Sequence, residues 1–124
     1  MEVRRSYLAA PFSAGTWEKW NSIYAYEARA LPSIWAAAPY LHNGSVPSLV
    51  ELLKPAVRRV KEFRVGAKYD TPTVGLATEQ AGGFVFKTTG CEDRNSGDSN
   101  CGHEYGTALS GDERAALIEY LKTL

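Results

Sequence analysis

The run Ala38-Pro39-Tyr40-Leu41-His42-Asn43-Gly44-Ser45, continuing into Val46-Pro47-Ser48-Leu49, excludes any long regular element from the middle of the chain's first half. Proline has no N–H and a locked φ, and Asn-Gly readily adopts positive φ, so the backbone is expected to reverse just after His42. On either side the signals are helical but short. Pro32 can open a brief turn carrying Ile34 and Trp35, with Pro39 ending it. Ser45 or Ser48 can cap a helix that buries Leu49, Leu52 and Leu53 and stops at Pro55. The histidine turn is therefore expected to hang between two short helices, which would aim its imidazole. The other histidine, His103, also sits among glycines, in Cys101-Gly102-His103-Glu104-Tyr105-Gly106.

The remaining sequence suggests a mainly α fold with a small β-hairpin or sheet and much loop. Ser110-Gly111-Asp112-Glu113 is a capping box, and Leu117, Ile118, Leu121 and Leu124 follow it as one apolar stripe. Glu62-Phe63-Arg64-Val65-Gly66 alternates, Gly83-Phe84-Val85-Phe86-Lys87-Thr88 is strand-like, and the two are expected to pair, joined by Tyr69 to Gly82. Residues 1–27 form an aromatic N-terminal arm or helix, with Trp17, Trp20 and Tyr24 at helical spacing behind Thr16. With 124 residues, 44% of them hydrophobic, the chain can build one core.

Charge and hydropathy narrow the partners. Fourteen basic and fourteen acidic residues cancel, which argues against a nucleic-acid binder that neutralises many phosphates. The cluster Arg58, Arg59, Lys61 and Arg64 reads as a solvated face. The longest apolar run, Ile34 to Ala38, falls far short of the ~20 residues of a membrane span. The apolar stretch near Met1 is shorter than a signal-peptide core, so a mature chain, a fragment and a cytoplasmic protein all remain open.

Cys91 and Cys101 flank the polar loop Glu92 to Asn100, which cannot hold itself by burial. A disulfide closing it would contribute roughly 3 kcal/mol and would favour an oxidising compartment. The competing reading is a metal site of Cys91, Cys101 and His103, which has no clear fourth ligand. Hydrolytic and nucleotide motifs are absent: there is no Gly-x-Ser-x-Gly, His-Glu-x-x-His, Walker loop or dinucleotide fingerprint. Neutral imidazole is a good ligand for iron, yet the Cys-x-x-Cys-His motif that attaches c-type haem is missing from the chain.

The string from Ala28 to Leu49, with its Ala-Pro-Tyr-Leu-His-Asn-Gly core, resembles the closing segment of bacterial dihaem cytochrome c peroxidase-like proteins, and most of all the branch of haem-dependent rubber oxygenases. The likeness continues through Phe63 to Gly66, Gly82 to Phe86 and Gly102-His103-Glu104-Tyr105-Gly106-Thr107 into the last helix. It implies that residues 28–124 are the C-terminal part of a cytochrome c-like haem domain, folded as a single compact unit. His103 would then be the axial ligand to a haem c iron, and His42 a donor at the haem edge, with Trp35, Tyr40 and Tyr105 packing around it. In the peroxidase branch a methionine is the ligand, and this chain has none after Met1. The implied role is haem binding and electron transfer in a dihaem peroxidase or oxygenase, not catalysis by this chain alone. Another cytochrome domain or chain would supply Cys-x-x-Cys-His, a redox partner protein would exchange electrons, and the location would be periplasmic or extracellular. The alternative is a haem-free structural or protein-interaction module on the same scaffold.

Overall fold

A computed structural model describes residues 30–91 and 95–124. The aromatic segment 1–27, with its expected helix at Trp17, Trp20 and Tyr24, lies outside the described residues. Prolines and turn residues cut the described chain into short pieces, as their chemistry requires. A three-residue 3-10 turn, Ile34–Ala36, follows Ser33, which takes a left-handed φ of 57°, so the turn begins two residues later than a Pro32 start would place it. Helix α1, Leu49–Leu52, is capped by the Ser48 hydroxyl, which accepts the Glu51 N–H at 3.2 Å. Pro55 prevents its continuation, and a second 3-10 turn, Ala56–Arg58, takes over.

Strand β1, Glu62–Val65, buries Phe63 and exposes its neighbours, the period-2 pattern of a half-buried strand. It pairs antiparallel with the last strand, β4, Phe84–Lys87, in the register Phe63 opposite Phe86, and these rings stack with centroids 5.3 Å apart. The connection between them holds a second antiparallel pair that its sequence does not announce, β2, Tyr69–Asp70, with β3, Gly75–Leu76. The exit of the histidine turn crosses this pair closely. A Cβ on Gly75 would stand 2.2 Å from the Pro47 carbonyl oxygen, so only glycine fits the crossing. Leu76 N–H donates to Pro47 O at 2.9 Å, while the amides of Leu49 and Val50 donate to Val74 O and Thr73 O. Those two amides are among the donors a helix start leaves unpaired, so the β2–β3 turn satisfies the beginning of α1.

Helix α2, Gly111–Leu121, has the expected capping box: Glu113 N–H donates to the Ser110 hydroxyl, and Ser110 N–H donates to the Glu113 carboxylate at 2.8 Å. Ile118 reaches the core, with Leu117 and Leu121 packed against it, whereas Leu124 is exposed. The core consists of Tyr40, Val46, Leu49, Leu53, Val74 and Ile118. The expectation of a mainly α fold is therefore corrected. Among the described residues there are two α-helices of 4 and 11 residues against two two-stranded antiparallel sheets. Pro39, Pro47 and Pro55 keep α1 to little more than one turn, and the helical spacing counted toward the α content at residues 17–24 is outside the described part.

The capping box gives a prediction with a definite sign. Hydrogen bonds from the Ser110 backbone and side chain hold the Glu113 carboxyl below its ordinary 4.5. A depressed folded-state value means this contribution is complete above the unfolded value and disappears as pH falls through the folded one. The urea midpoint of the natural chain should therefore decline relative to Glu113→Gln between about pH 6 and about pH 3. Parallel curves would show that the carboxylate adds nothing.

Candidate functional site

The first turn is closed by a two-way bridge, Tyr40 N–H to Val46 O at 2.7 Å and Val46 N–H to Tyr40 O at 3.3 Å. Inside it, Leu41 and Gly44 take φ values of 66° and 68°, and just before it the Ala38–Pro39 peptide is cis. Asn43 Oδ1 accepts the Ser45 N–H, and Asn43 Nδ2 donates to Gly97 O at 2.9 Å and Ser99 O at 2.8 Å. His42, one residue earlier, is left exposed. The asparagine side chain therefore ties the His42 turn to the loop that precedes His103.

That loop is closed by a disulfide between Cys91 and Cys101, whose Cα atoms are 5.2 Å apart. Sulfurs joined in this way are not thiolate ligands, so the three-ligand metal reading loses two of its three members. Thr89 N–H donates to Asp98 O at 3.1 Å, and Asn100, 5% exposed, donates to Val60 O and to the Thr88 hydroxyl. His103 itself takes a left-handed φ of 51°. Its carbonyl accepts the Tyr105 N–H at 2.8 Å, its Nδ1 lies 3.3 Å from the Tyr105 hydroxyl, and the two rings stack at 5.8 Å. The outcome is that the chain's two histidines meet edge to face with ring centroids 6.3 Å apart.

The residue that makes this possible belongs, by sequence alone, to a basic cluster with the pattern of a solvated face. Arg59 is 3% exposed, not solvated, whereas Arg58, Lys61 and Arg64 around it are exposed. A guanidinium has five N–H donors, and each finds a carbonyl here. Nε donates to Lys54 O at 3.2 Å, Nη1 to Asn100 O at 2.6 Å and Gly102 O at 3.0 Å, and Nη2 to Leu52 O at 3.2 Å and His103 O at 2.8 Å. Arg59 thus joins the C-terminal end of α1, where carbonyls lack helical partners, to the backbone on both sides of Cys101 and at His103. Burial pushes its pKa below the ordinary value, while the Glu104 and Glu51 carboxylates oppose that shift. Glu51 also accepts the Val60 N–H at 2.9 Å and pairs with Lys54, and Glu104 accepts the Ala56 N–H at 2.9 Å. No periodicity or motif marks Arg59; its neighbours in sequence are ordinary surface cations.

The other residues named from sequence separate into two groups. Tyr105 is beside His103. Tyr40 is a core residue, 6% exposed, whose one hydroxyl proton faces two carbonyl acceptors, Ile34 O at 2.9 Å and Val74 O at 3.3 Å. Burial, with a smaller effect of Tyr69, raises its phenol well above the usual range. Trp35 is 44% exposed on its 3-10 turn, and its carbonyl accepts the Tyr69 hydroxyl. Of the two glycines expected to let a flat ligand approach, Gly102 has open space where a Cβ would stand. Gly106 instead packs on Leu53, whose Cδ2 would lie 2.8 Å from an added Cβ.

The first half of this arrangement has a recognisable relative. Residues 25–64 match the RoxA-like, cytochrome c-like family. The match takes in Trp35, Tyr40, the His42 turn, α1 and Arg59, and stops before His103. Two curated relatives come from Sinorhizobium fredii (strain NBRC 101917 / NGR234). The uncharacterized protein y4iJ is 48% identical over 111 residues, covering 81% of this chain and 18% of the relative. The uncharacterized protein y4iM is 37% identical over 120 residues, covering 82% of this chain and 28% of the relative. The chain thus spans less than a third of either relative, and no solved structure matches it.

A cytochrome c-like match makes haem the group against which the residues are to be tested. The donor set fits part of such a site: one imidazole in a stiff, glycine-opened bend can ligate iron, and a second beside it can donate to a carboxylate. Cys-x-x-Cys-His is not in the sequence, and among the described residues no group of three histidine, cysteine or acidic side chains could hold a metal ion by itself. No helix among those residues is long and apolar enough to cross a membrane.

Proposed function

We propose that this chain is a haem-binding, electron-transfer portion of a c-type dihaem cytochrome of the peroxidase or oxygenase kind. In this reading His103 would ligate the haem iron and His42 would donate to a haem carboxylate. Tyr105 stacks on the ligand, while Tyr40 and Trp35 belong to the wall behind the His42 turn. Bound haem c would supply one-electron redox chemistry, and its covalent anchor would come from a Cys-x-x-Cys-His segment elsewhere in the protein or on another chain. The work of this chain's own residues is positional. Arg59 and the Asn43 side chain hold two distant turns so that the imidazoles converge, and the stacked Tyr105 limits rotation of the His103 ring. The disulfide suits an oxidising, periplasmic or extracellular location, and a redox partner protein would complete the electron path.

The observation that supports this reading best is the convergence of the only two histidines, 6.3 Å apart, from turns at opposite ends of the fold's sequence. It is tested on protein isolated from its native source. A Soret band with low-spin features is expected. His103→Ala should convert that spectrum to high spin, whereas His42→Ala should keep the low-spin form and shift the midpoint potential. An unchanged spectrum in His103→Ala would remove it as ligand. Absence of both haem absorption and iron would favour the second reading, a haem-free structural or protein-interaction module on the same scaffold.

A further inference from the structure

A concavity away from the histidines is formed among the described residues. It lies along α1 and α2, encloses about 810 Å³, and neither His42 nor His103 lines it. A volume of this size is within the ~300–1,000 Å³ in which small molecules are commonly held. The wall is apolar where the helices face it, with Val50, Leu53, Ala115, Ala116 and Ile118, and Pro72 closes one side. Ala115 and Ala116 are themselves exposed. They lie off the Leu117, Ile118 and Leu121 stripe, so this second, small-residue face of α2 contributes little to the core and leaves room beside it.

The charges around the wall do not cancel. Four line it, Lys54, Arg58, Arg114 and Glu119. Lys54 is already paired with Glu51, and Glu119 with Lys122 at 2.6 Å. The guanidiniums of Arg58 and Arg114 make no ion pair among the described residues. Two uncompensated cations beside an apolar wall attract an anion with an apolar body, and guanidinium matches the planar fork of a carboxylate. A neutral chain would gain from the wall alone, and a cationic one would be repelled.

We propose that this cavity binds a free long-chain carboxylate, with its alkyl chain against Leu53, Ala115 and Ile118 and its carboxylate on Arg58 and Arg114. The site is separate from the histidines and does not depend on haem. The full chain is titrated calorimetrically with decanoate, decanol and decyltrimethylammonium, each below its micelle-forming concentration. Decanoate should bind saturably at one site, decanol about tenfold or more weaker, and the ammonium not at all. Arg58→Gln with Arg114→Gln should reduce decanoate to the affinity of decanol while leaving the urea midpoint unchanged. Ala115→Trp should block both acid and alcohol. The proposal is overturned by equal affinity for acid and alcohol, by decanoate binding that survives loss of both arginines, or by the absence of saturable heat with decanoate.

Discussion

Arg59→Met should lower the stability of the chain by about 3–5 kcal/mol, read as a fall in the urea midpoint at constant slope. The estimate follows from what the side chain leaves behind. Four carbonyls, of Leu52, Lys54, Asn100 and Gly102, lose their side-chain donor together, while His103 O keeps the Tyr105 N–H, and buried acceptors left unpaired each cost on the order of 1–3 kcal/mol where water cannot replace the donor. Glu104 also loses a nearby cation, and Glu51 loses one while keeping Lys54, although both keep backbone N–H donors. Arg59→Lys should recover only a minor part, because an ammonium has three donors and no fork with which to reach carbonyls on opposite sides. For a domain whose total stability is of order 5–15 kcal/mol, such a loss approaches global unfolding. Recovery of most of the stability by lysine, or a loss below about 1 kcal/mol in the methionine variant, would mean that water serves those carbonyls as well as Arg59 does.

Replacing Cys91 and Cys101 together by serine should cost about 3 kcal/mol, the loop-closure value for a bridge between residues 10 apart. The loss would not spread evenly over the fold. Among the described residues the β1–β4 register and the capping box of α2 are made without this loop, whereas Asn43 is bonded to Gly97 and Ser99 within it and Arg59 to Asn100 and Gly102 at its end. Hydrogen exchange should therefore accelerate in residues 95–103 and in the Asn43 turn well before it does in β1 or α2. Reduction of the natural chain should reproduce the same pattern. Uniform acceleration throughout, or none, would show that the disulfide does not act through this loop.

These two variants mark the boundary between what local sequence carried and what it did not. The capping box at Ser110 and Glu113, a serine cap at Ser45 or Ser48 ahead of Leu49, the reversal at Asn43-Gly44 and the pairing of β1 with β4 were all legible. Each rests on a preference expressed within a few residues: a hydroxyl that reaches an amide three positions on, a glycine that tolerates positive φ, an alternation of burial. The Cys91–Cys101 disulfide was legible for a related reason, since a polar loop of that length needs a closure. The mainly α expectation failed because it gave weight to short helical signals that prolines confine to single turns. The β2–β3 pair has no signature in the sequence because its two-residue strands have no pattern of their own and exist where the Pro47-Ser48 segment crosses Gly75.

By itself, then, the sequence determined the turns, the helix caps and the short lengths of the elements, because those depend on backbone freedom and on partners only a few residues away. It also singled out His42 and His103 as the chain's imidazoles and set each in a bend. Only the tertiary structure decided that the two meet, that Tyr40 belongs to the core, and that Arg59, unlike the neighbouring Arg58, is buried. A guanidinium beside other cations looks solvated until unpaired carbonyls from distant segments are brought around it, and that requirement arises from packing α1 against the loop that carries His103.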